Sequence, residues 1–338
     1  MLKLIPPVHG GLDVPWDFST NANCLGPCPA ALEALRNVDA ARYPDSRYPA
    51  LIDKLAQWHG VHPGRVLLGA SASELIGRLH MALRLLHGGA CDVAVPKPAY
   101  SDYEFSALSC GHRVITQSWQ QSFSVDQTIQ MHWMTVPDSP RGQGVDAASL
   151  QAHISRSAVR HVIDCAYQPL LLQGQRLPQT LLDRAWSIWS PNKALGLCGV
   201  RGAYAIAPQR LDELTQVVRQ LESSWVLGAH AQAMLSLWAS DVAQDWLAQA
   251  LAQLRVLKAD QINMLESLGI HCKPSVSNFF VVQLAQDAAL HAQRLKALMA
   301  QGVALRDTSS MGLPDWARMR VHTQAAREAF EVAWRQIV

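Results

Sequence analysis

The chain has 338 residues, 49% of them hydrophobic and 17% charged, enough apolar material for a large core and about two domains, and too much for a disordered chain. Twenty-nine basic against 27 acidic residues give a formal charge of +2, which argues against a nucleic-acid role built on a clustered basic footprint. No run approaches 18 uncharged apolar residues, so no membrane span is expected. The opening MLKLIPPVHGG has no apolar stretch long enough for a signal peptide. Seven dispersed cysteines, only Cys24 and Cys28 close together, read as reduced thiols of a cytoplasmic protein rather than a disulfide framework.

In chain order, residues 1–30 carry Pro7, Pro15, Pro27 and Pro29 with little periodicity. They read as an extended arm that packs elsewhere. Short apolar runs followed by turn or capping residues predict strands at 66–68, 93–95, 113–116, 132–136, 161–164, 185–189 and 203–207. Helical patterns such as 73–86 and 100–109 lie between them. The expectation is an α/β fold, a three-layer domain around a mostly parallel sheet buried on both faces, spanning 31–225. From about Pro208 the chain turns rich in Leu, Ala, Gln and Glu, which predicts one or two long helices over 210–268. A strand near 278–282, a helix near 289–300, a strand at 317–322 and a last helix at 324–337 complete a smaller α+β domain over 226–338.

Chemistry concentrates after the strand ending at Trp189. Lys193 sits between an apolar strand and a glycine-punctuated turn, where burial makes an amine a Schiff-base nucleophile. Ser190 and Arg201 flank it with groups suited to a phosphate oxyanion. A lone lysine there is more often a surface group. Asp164 ends another parallel strand, where a carboxylate points into the ligand crevice of an α/β sheet; its bland reading is a helix N-cap. The small residues Gly69 to Glu74 opening a helix offer free N–H groups to a phosphate, or simply a capping box. The 13 histidines show no HxxxH-type ligand spacing with acidic partners, and no metal site is expected from them or from Cys24 and Cys28. The 11 tryptophans read as core.

Taken together these motifs resemble the pyridoxal-phosphate (PLP) enzymes of fold type I, class I/II aminotransferase family. Within it the chain is similar to the histidinol-phosphate aminotransferase and threonine-phosphate decarboxylase branch. The resemblance runs in order through His9-Gly10-Gly11, Asp17 to Asn23, Leu25-Gly26-Pro27, Arg42-Tyr43-Pro44-Asp45, the Gly69–Glu74 turn and Pro98-Ala99-Tyr100. It continues through Asp164 to Tyr167, Lys193 to Arg201, Pro274-Ser275, Asn278-Phe279, Arg306-Asp307 and Arg318. It implies that Lys193 holds PLP and moves the proton at the substrate Cα. Asp164 would keep the pyridine nitrogen protonated, Tyr167 would bond the ring oxygen, and Tyr100 would stack on the ring. Ser190, Arg201 and the N–H groups of Ala72 and Ser73 would cradle the phosphate. Tyr43 would reach the phosphate of a neighbouring subunit in a homodimer with shared sites. Arg318 would clamp the substrate carboxylate, Arg306 a second anionic group, and Asn23 would help position substrate.

The chain departs from the family at Val136-Pro137-Asp138-Ser139-Pro140-Arg141-Gly142, where Ser139 replaces the asparagine that bonds the ring oxygen. Cys165 stands beside Asp164 where a glutamate is usual. The implied activity is transamination of an L-amino acid or a phosphorylated amino alcohol. Alternatives are decarboxylation of a threonine-phosphate-like substrate and a non-catalytic PLP-binding protein. A regulator fused to a DNA-binding module is disfavoured.

Overall fold

The computed structural model describes residues 10–118, 128–156 and 158–338; Pro7 and His9 lie outside the described residues. Strand β1 (Trp16–Asp17) belongs to the arm. Helices α1 (Pro29–Arg36) and α2 (Pro49–His59) follow, each opening on a proline whose fixed φ and missing N–H suit a first turn. The chain then alternates: β2 (Val66–Gly69), α3 (Ala72–His87), β3 (Asp92–Lys97), α4 (Asp102–Ser109), β4 (Arg113–Ser118), β5 (Ile129–Thr135). Next come α5 (Ala147–Arg156), β6 (Arg160–Asp164), α6 (Gln179–Leu182), β7 (Trp186–Trp189) and β8 (Ala203–Ile206). Strands β2 to β8 form one sheet in the order β2-β8-β7-β6-β5-β3-β4, parallel except for β8, which runs antiparallel to both neighbours.

Both faces of this sheet are covered, which is why its strands are apolar on both sides instead of alternating. On one face Leu67, Val93, Trp133, Val162 and Ile188 pack against α3 and α4 and against Leu214 and Val218. On the other, Leu68, Met134, Ile163 and Ile206 pack against α2, α5 and the arm residue Phe18.

Past the sheet the expected one or two long helices are three: α7 (Glu213–Gln220), α8 (Ala229–Trp238) and α9 (Asp241–Ser267). The breaks have a local cause. Gly228 and Ser240, at the N-caps of α8 and α9, hold extended backbone that no helix can run through. Strands β9 (His271–Cys272) and β10 (Phe279–Gln283) follow, then α10 (Ala288–Ala300), β11 (Val303–Ala304), β12 (Arg306–Asp307), β13 (Ala317–Arg320) and α11 (Gln324–Arg335). These give an antiparallel sheet β12-β13-β10-β9. Its two-residue strands are too short to show a period in sequence.

The arm joins the two sheets. β1 pairs in parallel with β11, and Phe18 donates its N–H to Ala304 and accepts from the Arg320 N–H at 2.8 and 2.9 Å. Asn278 holds the carbonyls of Asn21 and Ala22 through its side-chain amide. Further on, the arm crosses the turn after Lys193 backbone to backbone. Cys28 N–H donates to the Leu195 carbonyl at 2.8 Å. A Cβ on Gly196 would lie 2.7 Å from the Gly26 Cα, and φ there is +70°, a left-handed conformation that costs other residues. Gly196→Ala is therefore expected to destabilise the protein by about 1–3 kcal/mol, read as a lower denaturation midpoint; unchanged stability would show that the crossing relaxes freely.

Enclosed imidazoles, among them buried His80 and half-buried His59 and His322, set an acid limit. His80 accepts the Trp133 indole N–H at 2.8 Å on Nε2 and so donates from Nδ1 to Ser106. Burial pushes its pKa down to about 3, and those of His59 and His322 down to about 4. Unfolded, each protonates near 6.5, so the unfolded state binds more protons below that pH. The stability these groups contribute is complete above pH 6.5 and is lost as pH falls toward 4. Thermal unfolding at pH 7.5 and 5.0 is expected to give a Tm several degrees lower at pH 5.0; an equal or higher value contradicts this account.

Candidate active site

The parallel strands β2, β5, β6 and β7 all end on one cavity of about 500 Å³, closed on its far side by the small sheet and the arm. Ligand crevices of open α/β sheets lie at such carboxyl ends. Eleven of the residues singled out in the sequence line it: Ala72, Ser73, Tyr100, Ser139, Asp164, Tyr167, Ser190, Lys193, Arg201, Arg306 and Arg318.

Lys193 is half-buried on the cavity wall. Its turn is tied down from within by the Leu197 N–H on the Asn192 carbonyl at 2.7 Å, and from outside by the Asn23 N–H on the Lys193 carbonyl at 2.9 Å. Its ammonium lies 5.4 Å from the centre of the Tyr167 ring. The Tyr167 hydroxyl accepts from the Asn21 side-chain amide at 3.2 Å.

Asp164 leaves the end of β6 fully enclosed. Burial raises its pKa, opposed by hydrogen bonds from the Tyr103 hydroxyl at 2.6 Å and the Ala166 N–H at 2.9 Å, and by the charge of Lys193. The Tyr103 hydroxyl is shared with Thr135 at 2.9 Å, and its ring stacks on Trp133. A carboxylate held this way in a dry wall is built to face a cation or a protonated nitrogen.

The opposite end of the cavity suits an anion. Both readings of the Gly69–Glu74 turn hold together. Ser71 caps α3 by accepting from the Glu74 N–H at 3.1 Å, and Glu74 reaches back to the Ala70 N–H. The Ala72 and Ser73 N–H groups belong to a first turn, which has no intrahelical partners, and they face the cavity at the positive end of the helix dipole. Ser190 adds a buried hydroxyl with no hydrogen-bond partner among the described residues, and Arg201 a cation at the mouth. Tyr100 lines the wall, its hydroxyl held by Asp102 at 2.6 Å.

At the third corner, Arg306 of β12 and Arg318 of β13 are register partners across an antiparallel pair. Both are buried. Arg318 donates to Ser139 Oγ at 3.2 Å and to the Ser19 carbonyl at 2.9 Å, and Arg306 to Ser310 Oγ at 2.9 Å. Burial and the neighbouring guanidinium lower the pKa of Arg306. Like charges directly opposite cost stability unless an anion sits between them.

Two of the sequence-predicted residues lie elsewhere. Asn23 is buried beneath the Lys193 turn, its amide on the Ala194 carbonyl at 3.2 Å. Its side chain is spent on backbone, donating to the Ala194 carbonyl and accepting from the Leu25 N–H, and it does not line the cavity. Tyr43 is 81% exposed, against the ring of Trp225 at 4.8 Å and away from the cavity of its own chain. Ser139 is in the cavity, but its hydroxyl is held by Arg318. Asn21, Tyr103 and Thr135 were not singled out as site residues. Asn21 lay inside the quoted Asp17–Asn23 motif, while Tyr103 and Thr135 carry no signal beyond apolar or β-prone neighbours.

These residues fit pyridoxal phosphate. A helix start and an unpartnered buried serine would meet the phosphate, a desolvated carboxylate the ring nitrogen, and an amine the aldehyde carbon. Comparison with known proteins agrees. The family model "Aminotransferase class I and II" matches residues 15–331. The histidinol-phosphate aminotransferase of Nitratidesulfovibrio vulgaris is 29% identical, the alignment covering 95% of this chain and 88% of that one. Histidinol-phosphate aminotransferase 2 of Ralstonia nicotianae is 27% identical over 90% and 83%. In fold, the chain is similar to L-threonine-O-3-phosphate decarboxylase from Porphyromonas gingivalis (TM-score 0.83, 20% identity, 94% and 98% covered). It is also similar to histidinol-phosphate aminotransferase from Sinorhizobium meliloti in complex with pyridoxal-5'-phosphate (TM-score 0.82, 19%, 96% and 91%). Because the matched segment takes in both sheets and the lysine, carboxylate and arginine walls of the cavity, the chain belongs to the class I and II aminotransferases, enzymes that work with pyridoxal phosphate.

Proposed function

We propose that this enzyme transfers the amino group of a small substrate carrying a phosphate or second carboxylate, as a cytoplasmic homodimer. The observation that carries the substrate class is the buried pair Arg306 and Arg318, facing each other across β12 and β13 at the cavity that holds Lys193. One guanidinium suits a carboxylate; two, opposed and desolvated, suit a doubly anionic ligand or two anionic groups. The relatives named histidinol-phosphate aminotransferase support a phosphorylated amino alcohol or amino acid as donor. The exposed Tyr43 supports a site shared between subunits. The seven free cysteines, none disulfide-bonded among the described residues, support a reducing compartment.

When bound, pyridoxal phosphate supplies an electron sink for the pair released as a bond to the substrate Cα breaks. The chain's own residues do the rest. Asp164 faces the ring nitrogen and keeps a proton there, while the Tyr103 hydroxyl and the Ala166 N–H fix the carboxyl and oppose the rise in its pKa that burial causes. The Ala72 and Ser73 N–H groups, Ser190 and Arg201 anchor the phosphate, so the ring cannot drift from the lysine. Arg318 fixes the substrate's anionic group and thereby selects which Cα bond faces the sink. Lys193 then takes the Cα proton and returns it on the other side of the transfer.

Lys193→Ala is expected to abolish the lysine-dependent visible absorbance and to reduce amino transfer by at least about 10⁴-fold, measured by absorbance and by 2-oxo acid production from a panel of amino acids and their phosphates. A wild-type band that no donor changes would leave a non-catalytic PLP-binding protein, and carbon dioxide release in place of amino transfer would make the enzyme a decarboxylase. Arg306→Ala is expected to raise KM about 10- to 100-fold for phosphorylated donors and to leave unphosphorylated ones nearly unchanged. An equal effect on both removes Arg306 from anion recognition.

A further inference from the structure

Three histidines from three elements meet on the face of the large sheet opposite Asp164. His132 of β5 and His161 of β6 are register partners, and His153 comes from α5, which covers that face. The ring centres are 5.7 Å (132–153), 5.5 Å (132–161) and 5.2 Å (153–161) apart, with planes crossing at 80°, 63° and 71°. One ring nitrogen from each lies within 4.8 Å of the other two. His132 is 0% and His161 2% exposed, and neither ring has a hydrogen-bond partner among the described residues. His80, equally deep, uses both its nitrogens. Buried polar atoms are normally paired, and two whole imidazoles left unmatched call for an explanation.

We propose that His132, His153 and His161 form a zinc site that ties α5 to β5 and β6. Three imidazole nitrogens make a familiar zinc donor set, with a fourth position left for water on the half-buried side of His153. Zinc–nitrogen bonds of about 2.0–2.1 Å in a tetrahedron set the nitrogens about 3.3 Å apart, so the three rings must turn inward from the present spacing, which is within 4.8 Å. The ligating form of histidine is the neutral one. Burial and the neighbouring rings hold His132 and His161 in it, with pKa values pushed down to about 3. The same two strands run on to Thr135 and Asp164, three residues further, at a rise of about 3.3 Å per residue. Because three is odd, those side chains emerge on the other face. The ion would brace the strands that carry the active-site carboxylate without touching the reaction. No spacing rule reveals the set, since its members lie on two strands and a helix spread over residues 132–161.

The test uses the purified full-length protein, stripped with EDTA and titrated with Zn²⁺ against a chromophoric chelator. One ion per chain is expected. The Co²⁺ form should show the visible bands of a tetrahedral nitrogen-ligated site and no thiolate charge-transfer band. His153→Ala should weaken uptake at least ~100-fold while leaving the lysine-dependent absorbance intact. Zn²⁺ in hundredfold excess over its Kd should raise the wild-type Tm by about 3 °C or more and not move that of the variant. Absence of stoichiometric uptake, uptake unchanged in both His153→Ala and His161→Asn, or a thiolate-type cobalt spectrum overturns the proposal. Should a variant fail to fold, the wild-type cobalt spectrum still decides, because it reports the donor atoms directly.

Discussion

Where the arm crosses the turn after Lys193, a Cβ on Gly26 or on Gly196 would sit 2.8 or 2.7 Å from the other's Cα. Two backbones in direct contact leave no slack. The arm's position is therefore set by the lysine turn, and the lysine turn by the arm. From that crossing the arm extends one way to Asn21, which holds the Tyr167 hydroxyl, and to Ser19, whose carbonyl orients Arg318. It ends in β1, which pairs with β11 as a two-stranded sheet of its own. Lysine, tyrosine and arginine, drawn from elements far apart in sequence, are thus registered to one strip of backbone. Fixed geometry of this kind lets catalytic groups act without reorganising.

The cavity is divided electrostatically. The positive start of α3, Ser190 and Arg201 lie toward one anion. The Arg306 and Arg318 pair adds further positive charge, and the buried carboxyl of Asp164 lines the same cavity. Each charge is costly where it stands. Burial raises the pKa of Asp164 and two donors oppose that rise, and Arg318 keeps part of its fork on Ser139 and the Ser19 carbonyl. Buried charges persist when hydrogen-bonded or paired.

The Ser139 substitution alters this balance. A serine hydroxyl reaches less far than an asparagine amide, and here it is taken up by Arg318. Tyr167, whose hydroxyl is steadied by Asn21, is the other residue that the family resemblance assigns to the ring oxygen.

Much of this was legible in residue order. Apolar runs marked the central strands because both faces of the sheet are buried, so most of their side chains are apolar. The ordered motifs around Asp164, Lys193, Arg201 and Arg318 marked the cavity, because a chemistry that needs a carboxylate, an amine and two anion sites constrains residue type at each strand end. The two-residue strands β1, β9, β11 and β12 were invisible, being shorter than any period. The division of residues 210–268 into three helices followed from extended backbone at Gly228 and Ser240, which composition alone did not betray. What only the tertiary structure decided was company: Asn23 beneath the lysine turn instead of in the cavity, Tyr103 on Asp164, Arg306 opposite Arg318, and three histidines around one point. Sequence determines which groups a strand or helix presents. Which of them meet depends on register and on packing between distant elements, and a one-residue shift along a strand would send each to the other face.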